Sequence, residues 1–235
     1  MERTYRKRIA ADGLLGFAVA YKQTDLFVET CRNLEFEVFE VIRKHRQLLE
    51  NYIAQHKAFL SALEPVEIKK NAPRIVRIMA EAAKKASVGP MAAVAGAFAE
   101  IVGEFILKEC SECVVENGGD VFLKLNREPV VKLYTTNPFF KDKLHIRLEK
   151  SQKPYGICSS SAKIGPSLSF GKADLATIVG FDVAFCDALA TKTANMIKTE
   201  GDIEKAIEFA SKKDIVGCVF IKDKSIGVWG NLELV

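Results

Sequence analysis

The chain has 235 residues, 49% of them hydrophobic and 27% charged, with 34 basic side chains against 30 acidic ones for a net charge of +4. This composition supports a buried core and excludes a disordered chain. Charges of both signs run along the whole length, so there is no electrostatic footprint of a dedicated nucleic-acid binder.

In chain order, MERTYRKRIAADGLLGFAVAYK places basic residues before an apolar stretch, as a secretory signal does, but Asp12 and Gly13 interrupt the apolar run. FAVAY, KQTD and LFVET read better as strand, turn and strand, and the chain is expected to be cytoplasmic. RNLEFEVFEVIRKHRQLLENYIAQHKAFLSAL carries apolar residues at helical spacing until Pro65, with a break near Gln55. A second helix is predicted over RIVRIMAEAAKK, and a third, rich in alanine and glycine, from Pro90, where proline suits the first helical position. The most apolar window, residues 88 to 107, contains Glu100 and Glu104, which argues against a membrane span.

From Cys113 the pattern turns to strands: CVVEN, DVFLKL, PVVKLYT, KLHIRLEK and YGICSS. A loop from Ala162 to Lys172 follows, then the strand ATIVGF, a helix containing CDALATKTAN, a charged helix DIEKAIEFASKK, and a closing hairpin of VGCVFIKD and KSIGVWGNL. Helices in runs and strands in runs predict an α+β fold of helices layered on mixed or antiparallel sheets. A single domain over 1–235 is expected, with an N-terminal part to residue 70, a core over 75–200 and a C-terminal helix and hairpin from 201. Six cysteines at uneven spacings make no small disulfide framework. Cys110 and Cys113 form one C-x-x-C without the second pair a structural zinc needs, and Cys31, Cys158, Cys186 and Cys218 are expected as small apolar fillers.

Four stretches could carry chemistry. In VVENGGDVFL, Asn117, Gly118 and Gly119 signal a tight hairpin, and the glycines would also let a ligand approach their amides beside Asp120. In SVGPMAAVAGAFAE the first-turn amides suit an anion, and Gly96 marks close approach, most simply of a neighbouring helix or strand. GICSSSAKIGPSLSFGKAD is a long loop whose Ser159, Ser160, Ser161, Ser167 and Ser169 suit phosphate or ribose, with Lys163 and Lys172 to neutralise charge; a solvated connector is the alternative. Asp187 and Thr191 stand four positions apart on one helix face, fit for a hard cation such as Mg²⁺ if a substrate phosphate completes its shell; the alternative has Asp187 capping the helix. No G-x-S-x-G elbow or hydrolase triad is visible.

Taken together and in this order, VGPMAAVAG, VENGGD, SLSFGKAD and DALAT resemble the ApbE-like superfamily, whose best-known members are FAD:protein FMN transferases, formerly linked to thiamine biosynthesis. The resemblance covers roughly residues 75 to 200 and is closest to a compact prokaryotic and archaeal branch. It implies an ApbE-like, T-fold-like architecture, with FAD or FMN and Mg²⁺ as cofactors. It implies Asp187 and Thr191 as metal ligands with a carbonyl such as that of Ser161. It also implies a flavin site drawn from Gly89, Met91, Gly96, Asn117, Gly118, Gly119, Ser159, Ser160, Ser161, Ser169 and Lys172, with Asp120 and Asp187 as catalytic acids. The implied partners are a flavin nucleotide and an acceptor protein bearing the serine or threonine that receives FMN, with no nucleic acid and no membrane. The N-terminal hairpin and long helix offer a surface for a homodimer. Two departures stand out: Ala95-Gly96 replaces the superfamily's Lys-Gly pair, and SLSFGKAD replaces its H-x-x-D-P-x-T-G stretch and lacks the histidine. An accessory protein of the same fold, in sulfur assimilation or homocysteine formation, and an FAD pyrophosphatase are the alternatives.

Overall fold

The computed structural model describes residues 13–162 and 171–235. Two strands open it, β1 (Leu15–Tyr21) and β2 (Thr24–Thr30), followed by helices α1 (Glu35–Gln55), α2 (Ala58–Ser61), α3 (Arg74–Ala86) and α4 (Val94–Ile106). Strands β3 (Cys113–Asn117), β4 (Asp120–Lys124), β5 (Val130–Lys132), β6 (His145–Arg147), β7 (Tyr155–Ser160) and β8 (Leu175–Gly180) come next. Helix α5 (Val183–Met196), helix α6 (Ile203–Ser211) and strands β9 (Gly217–Lys222), β10 (Ser225–Gly230) and β11 (Glu233–Leu234) complete the chain. The strands form an eight-stranded sheet in the order β1-β2-β3-β4-β7-β8-β9-β10 and a three-stranded sheet in the order β11-β6-β5. Every pairing is antiparallel.

Side-chain alternation along the central strands sorts the core into two layers. Cys113, Val115, Phe122, Cys158, Ala176, Ile178, Cys218 and Phe220 pack with the helices. Their neighbours Val114, Val121, Leu123, Ile157, Leu175, Val179, Val219 and Ile221 pack on the opposite face against Leu133, Leu144, Ile146 and Leu148 around the small sheet. Three of the four free cysteines therefore lie on alternate strands, β3, β7 and β9, beneath the helices and the fourth, Cys186, on α5; all are buried, as expected of Cys158, Cys186 and Cys218 as small apolar fillers. Cys31 departs from that expectation: it forms a disulfide with Cys110, joining the end of β2 to the segment after α4.

The long helix breaks where predicted, at His56, between α1 and α2. The alanine-rich helix does not begin at Pro90: residues Pro90–Ala93 form a 3-10 turn and α4 starts at Val94. PVVKLYT and KLHIRLEK shorten to three residues each, because they pair only with one another and with the two-residue β11 at the C-terminus, which the periodicity did not predict. Among the described residues no single helix is long and apolar enough to cross a membrane. Helices α3 and α4 would qualify together, but they are bent by 106°, and much of each lies in the helix-side core.

Gly103 shows how tightly that layer is packed: a Cβ there would lie 2.2 Å from the buried ring of Phe122 on β4. Gly103→Ala should destabilise the protein by about 1–3 kcal/mol through overpacking, although alanine is favoured in a helix by about 1 kcal/mol. Urea unfolding measures it, and a second substitution, Phe122→Leu, should restore part of the loss. An unchanged midpoint for Gly103→Ala would contradict this packing.

Candidate functional site

Helices α4 and α5 cross at Gly96, where a Cβ would sit 2.7 Å from the Val183 carbonyl oxygen and 2.8 Å from the Asp187 Cβ. Glycine here permits contact between the helices, as the packing alternative expected. α4 has no cap of its own, since Ala93 at its start offers no side-chain acceptor. Asp187 fills that role from α5: its Oδ2 accepts a 2.8 Å hydrogen bond from the Gly96 amide, and the Ala95 amide also stabilises its charge. α4 returns the favour, because Glu100 Oε2 accepts from the Val183 and Ala184 amides at 3.1 and 3.2 Å. The anion at the start of the alanine-rich helix is thus a side chain of the protein itself.

Asp187 does not cap its own helix. Asp182 does, accepting from the Phe185 amide, which frees Asp187 to lie one turn further on, buried, beneath the sheet. Asp120 meets it there. Strand alternation puts Asp120 on the side of Phe122, facing the helices, opposite Cys158 in the β4–β7 ladder. Asp120 is 7% exposed and Asp187 9%, and Asp120 Oδ1 has no hydrogen-bond partner. Burial pushes the Asp187 carboxyl up to about 7 against the pull of the Gly96 and Ala95 amides. Burial, and then the neighbouring Asp187 charge, hold Asp120 well above the ordinary carboxylate range, which the Cys158 thiol and Ser159 amide only partly offset. Burial likewise raises Glu100 to about 7.

The turn between β3 and β4 ties this acid pair to a cavity on the other face of the sheet. Asn117 pairs with Asp120, and Gly118 and Gly119 both have positive φ, 69° and 110°. This is the tight two-residue hairpin its Asn-Gly pattern foretold. The same glycines border a cavity of about 110 Å³. Its apolar wall is Val121, Leu133, Ile157 and Leu175, and its polar rim is Glu116, Ser159, Ser160, Ser161, Lys132 and Tyr134. Glu116 Oε1 accepts from the Gly119 amide at 2.9 Å, and Asn117 Nδ2 donates to the Ala95 carbonyl at 3.0 Å. The turn is thereby braced from both faces. The Ser159 hydroxyl is bonded to that of Thr177, its partner across the ladder, at 2.8 Å.

Of the residues singled out from sequence, Gly118, Gly119, Ser159, Ser160 and Ser161 line the cavity, while Gly96, Asn117, Asp120 and Asp187 cluster at its back, beneath the helices. Thr191, one turn past Asp187, is half-buried. Gly89 and Met91 lie elsewhere, at the 3-10 turn, where a Cβ on Gly89 would strike the Ala62 carbonyl. Lys172 is exposed, with its amide bonded to the Ile197 carbonyl. Lys163, Ser167 and Ser169 lie outside the described residues. Sequence reasoning missed Lys132, Tyr134 and Glu100. The first two sit in an ordinary strand pattern, and Glu100 reads as a surface charge until α5 is docked on it.

The carboxyls of Asp120 and Asp187 fit a hard cation. Asp120 and Asp187 are buried side by side, one oxygen has no partner, and a helical hydroxyl follows one turn on. Two adjacent buried carboxyls cannot both ionise cheaply without a positive charge between them.

Proteins of known structure share this fold. The flavin transferase ApbE of Vibrio cholerae superposes with a TM-score of 0.55 over 92% of this chain and 96% of its own, at 11% identity. The ApbE protein of Thermotoga maritima does so with a TM-score of 0.58 over 91% and 96%, at 10% identity. At such identities the likeness is one of fold alone. A UPF0280 protein of Methanocaldococcus jannaschii is 40% identical over 204 residues, 83% of this chain and 82% of that relative. One from Methanococcus maripaludis strain C7 is 36% identical over 209 residues, 86% and 85% of the two chains. The family model described as AbpE bacteria matches residues 6–216, and the chain belongs to that family.

The titration of Glu100 has a consequence for stability. Its carboxyl titrates near 7 in the folded protein against 4.5 as the ordinary value. Between those two pH values the folded state therefore holds a proton that the unfolded chain has released, so stability falls as pH rises through that window and levels off above it. Glu100→Gln keeps an acceptor for the Val183 and Ala184 amides and should remove on the order of 2 kcal/mol of the fall between pH 5 and pH 8. Urea unfolding across that range measures it; parallel curves for the two proteins would refute the raised carboxyl.

Proposed function

We propose that the protein binds FAD in the cavity beside the paired glycines and, with Mg²⁺, transfers its FMN moiety to a serine or threonine hydroxyl of an acceptor protein. What carries this reading is the buried pair Asp120 and Asp187, with an unpartnered carboxyl oxygen, set behind the Gly118-Gly119 turn. The ApbE-like fold and the serine-lined rim support it.

In this reading Asp187, Thr191 and the carbonyl of Ser161 hold the Mg²⁺, which supplies charge neutralisation on the pyrophosphate when bound. The Gly118 and Gly119 turn, free of Cβ atoms, lets the phosphates approach the backbone closely, and Ser160 and Ser161 position their oxygens. The apolar wall of Val121, Leu133, Ile157 and Leu175 excludes water from one side of the ligand. The incoming hydroxyl oxygen forms a bond to the FMN-side phosphorus, the bond from that phosphorus to the bridging oxygen breaks, and AMP departs. Asp120 in its ionised form orients that hydroxyl and takes its proton, and the burial that raises its basicity suits the task.

A second reading has its own support: Asp187 is already engaged as the cap of α4, so the pair could serve folding alone in a binding protein without transferase chemistry. Asp187→Asn separates the two, because asparagine keeps an oxygen for the Gly96 amide and removes the charge. The measurement is covalent flavin on an acceptor peptide, followed by in-gel fluorescence and AMP release with FAD and Mg²⁺. Transfer should drop about a hundredfold or more, with the unfolding midpoint little changed. Undiminished transfer by the variant, or no flavin bound by the wild-type protein, would remove the proposal.

A further inference from the structure

Lys132 is the one cationic side chain among the described residues that line the cavity. It stands on β5, across from the serine rim of β7, on a strand whose neighbours Val131 and Leu133 form part of the cavity wall. The side chain is 23% exposed, and its ammonium is 2.6 Å from Asp142 Oδ1. Asp142 belongs to the turn after β5 and has a positive φ of 62°. The remaining charge on the rim, Glu116, is engaged by the Gly119 amide.

We infer that Lys132 is the phosphate-binding cation of this cavity, held by Asp142 while the cavity is empty and released to the phosphate of a nucleotide ligand when it fills. The inference rests on reading the cavity as a nucleotide site. Two comparisons favour the exchange. The pair with Asp142 is half open to water, since the Asp142 side chain is 43% exposed, and such pairs contribute little. A phosphate at the rim offers several charge-assisted acceptors to one ammonium. The long, flexible lysine stem pivots about β5 without moving the strand. Asp142 thus acts as a positioning residue that keeps the ammonium at the cavity mouth.

The test measures the affinities of FAD, riboflavin and inorganic pyrophosphate for the wild-type protein and for Lys132→Gln, Lys132→Arg and Asp142→Asn. Lys132→Gln should weaken FAD and pyrophosphate by roughly tenfold or more and leave riboflavin, which has no phosphate, unchanged. Lys132→Arg should restore most of the loss. Asp142→Asn, by freeing the lysine, should bind pyrophosphate as tightly as the wild type or more so; a purely structural ion pair would instead weaken all three ligands in both variants. FAD bound equally by wild type and Lys132→Gln overturns the role of Lys132 and leaves the flavin site standing. Pyrophosphate weakened by Lys132→Gln in a protein that binds no flavin upholds Lys132 and removes the flavin. Binding of neither ligand by the wild type removes both.

Discussion

The crossing of α4 and α5 is the constraint on which the rest of the structure depends. Gly96 lets the two backbones touch, and at that distance each helix supplies the cap the other lacks: Asp187 to the start of α4, Glu100 to the start of α5. Unpaired amides at a buried helix start are costly, so neither helix could be placed here without the other. α5 in turn lies along β7 and β8, where Gly156 makes room for Val183. The crossing therefore sets how the helix layer meets the sheet, and where Asp187 stands relative to Asp120.

The energetics of that arrangement are unfavourable in one respect. Two backbone amides pull the Asp187 carboxyl down, and burial pushes it up further than they pull. Asp120 fares worse, with a like charge beside it and one oxygen unpartnered. A core built only for stability would place apolar side chains here. Strained groups of this kind gather at functional sites, and these lie behind the glycine turn that joins β3 to β4. Burial and alternation also separate the chemistry into two halves. The acids face the helices, the serine rim faces the small sheet, and the hairpin tip of Gly118 and Gly119 is the point where both are within reach.

Much of this was legible in the sequence. The Asn-Gly hairpin, the break after Gln55, the strand periods and the α+β class follow from local rules, because φ preferences and side-chain alternation act over a few residues. The grouping of VGPMAAVAG, VENGGD and DALAT was legible as a resemblance, and the acid and glycine stretches do converge in space. Lys132 escaped because a lysine on a short strand looks like any solvated charge. A cap at Asp187 stood as the alternative to a metal ligand because that acid lies near the start of its helix, and sequence alone does not say which acid faces the first amides and which faces another element. The disulfide of Cys31 with Cys110 spans 79 residues, far beyond any local pattern.

By itself the sequence determined the elements and the turn that joins β3 to β4, because those depend on backbone preference and on which face of each strand is apolar. Tertiary structure alone decided that Asp187 would cap a foreign helix, that it would share a buried space with Asp120 from the sheet, and that a lysine on a small second sheet would border the same hairpin. Those outcomes are set by how layers pack, and packing distances between elements far apart in the chain leave no trace in local composition.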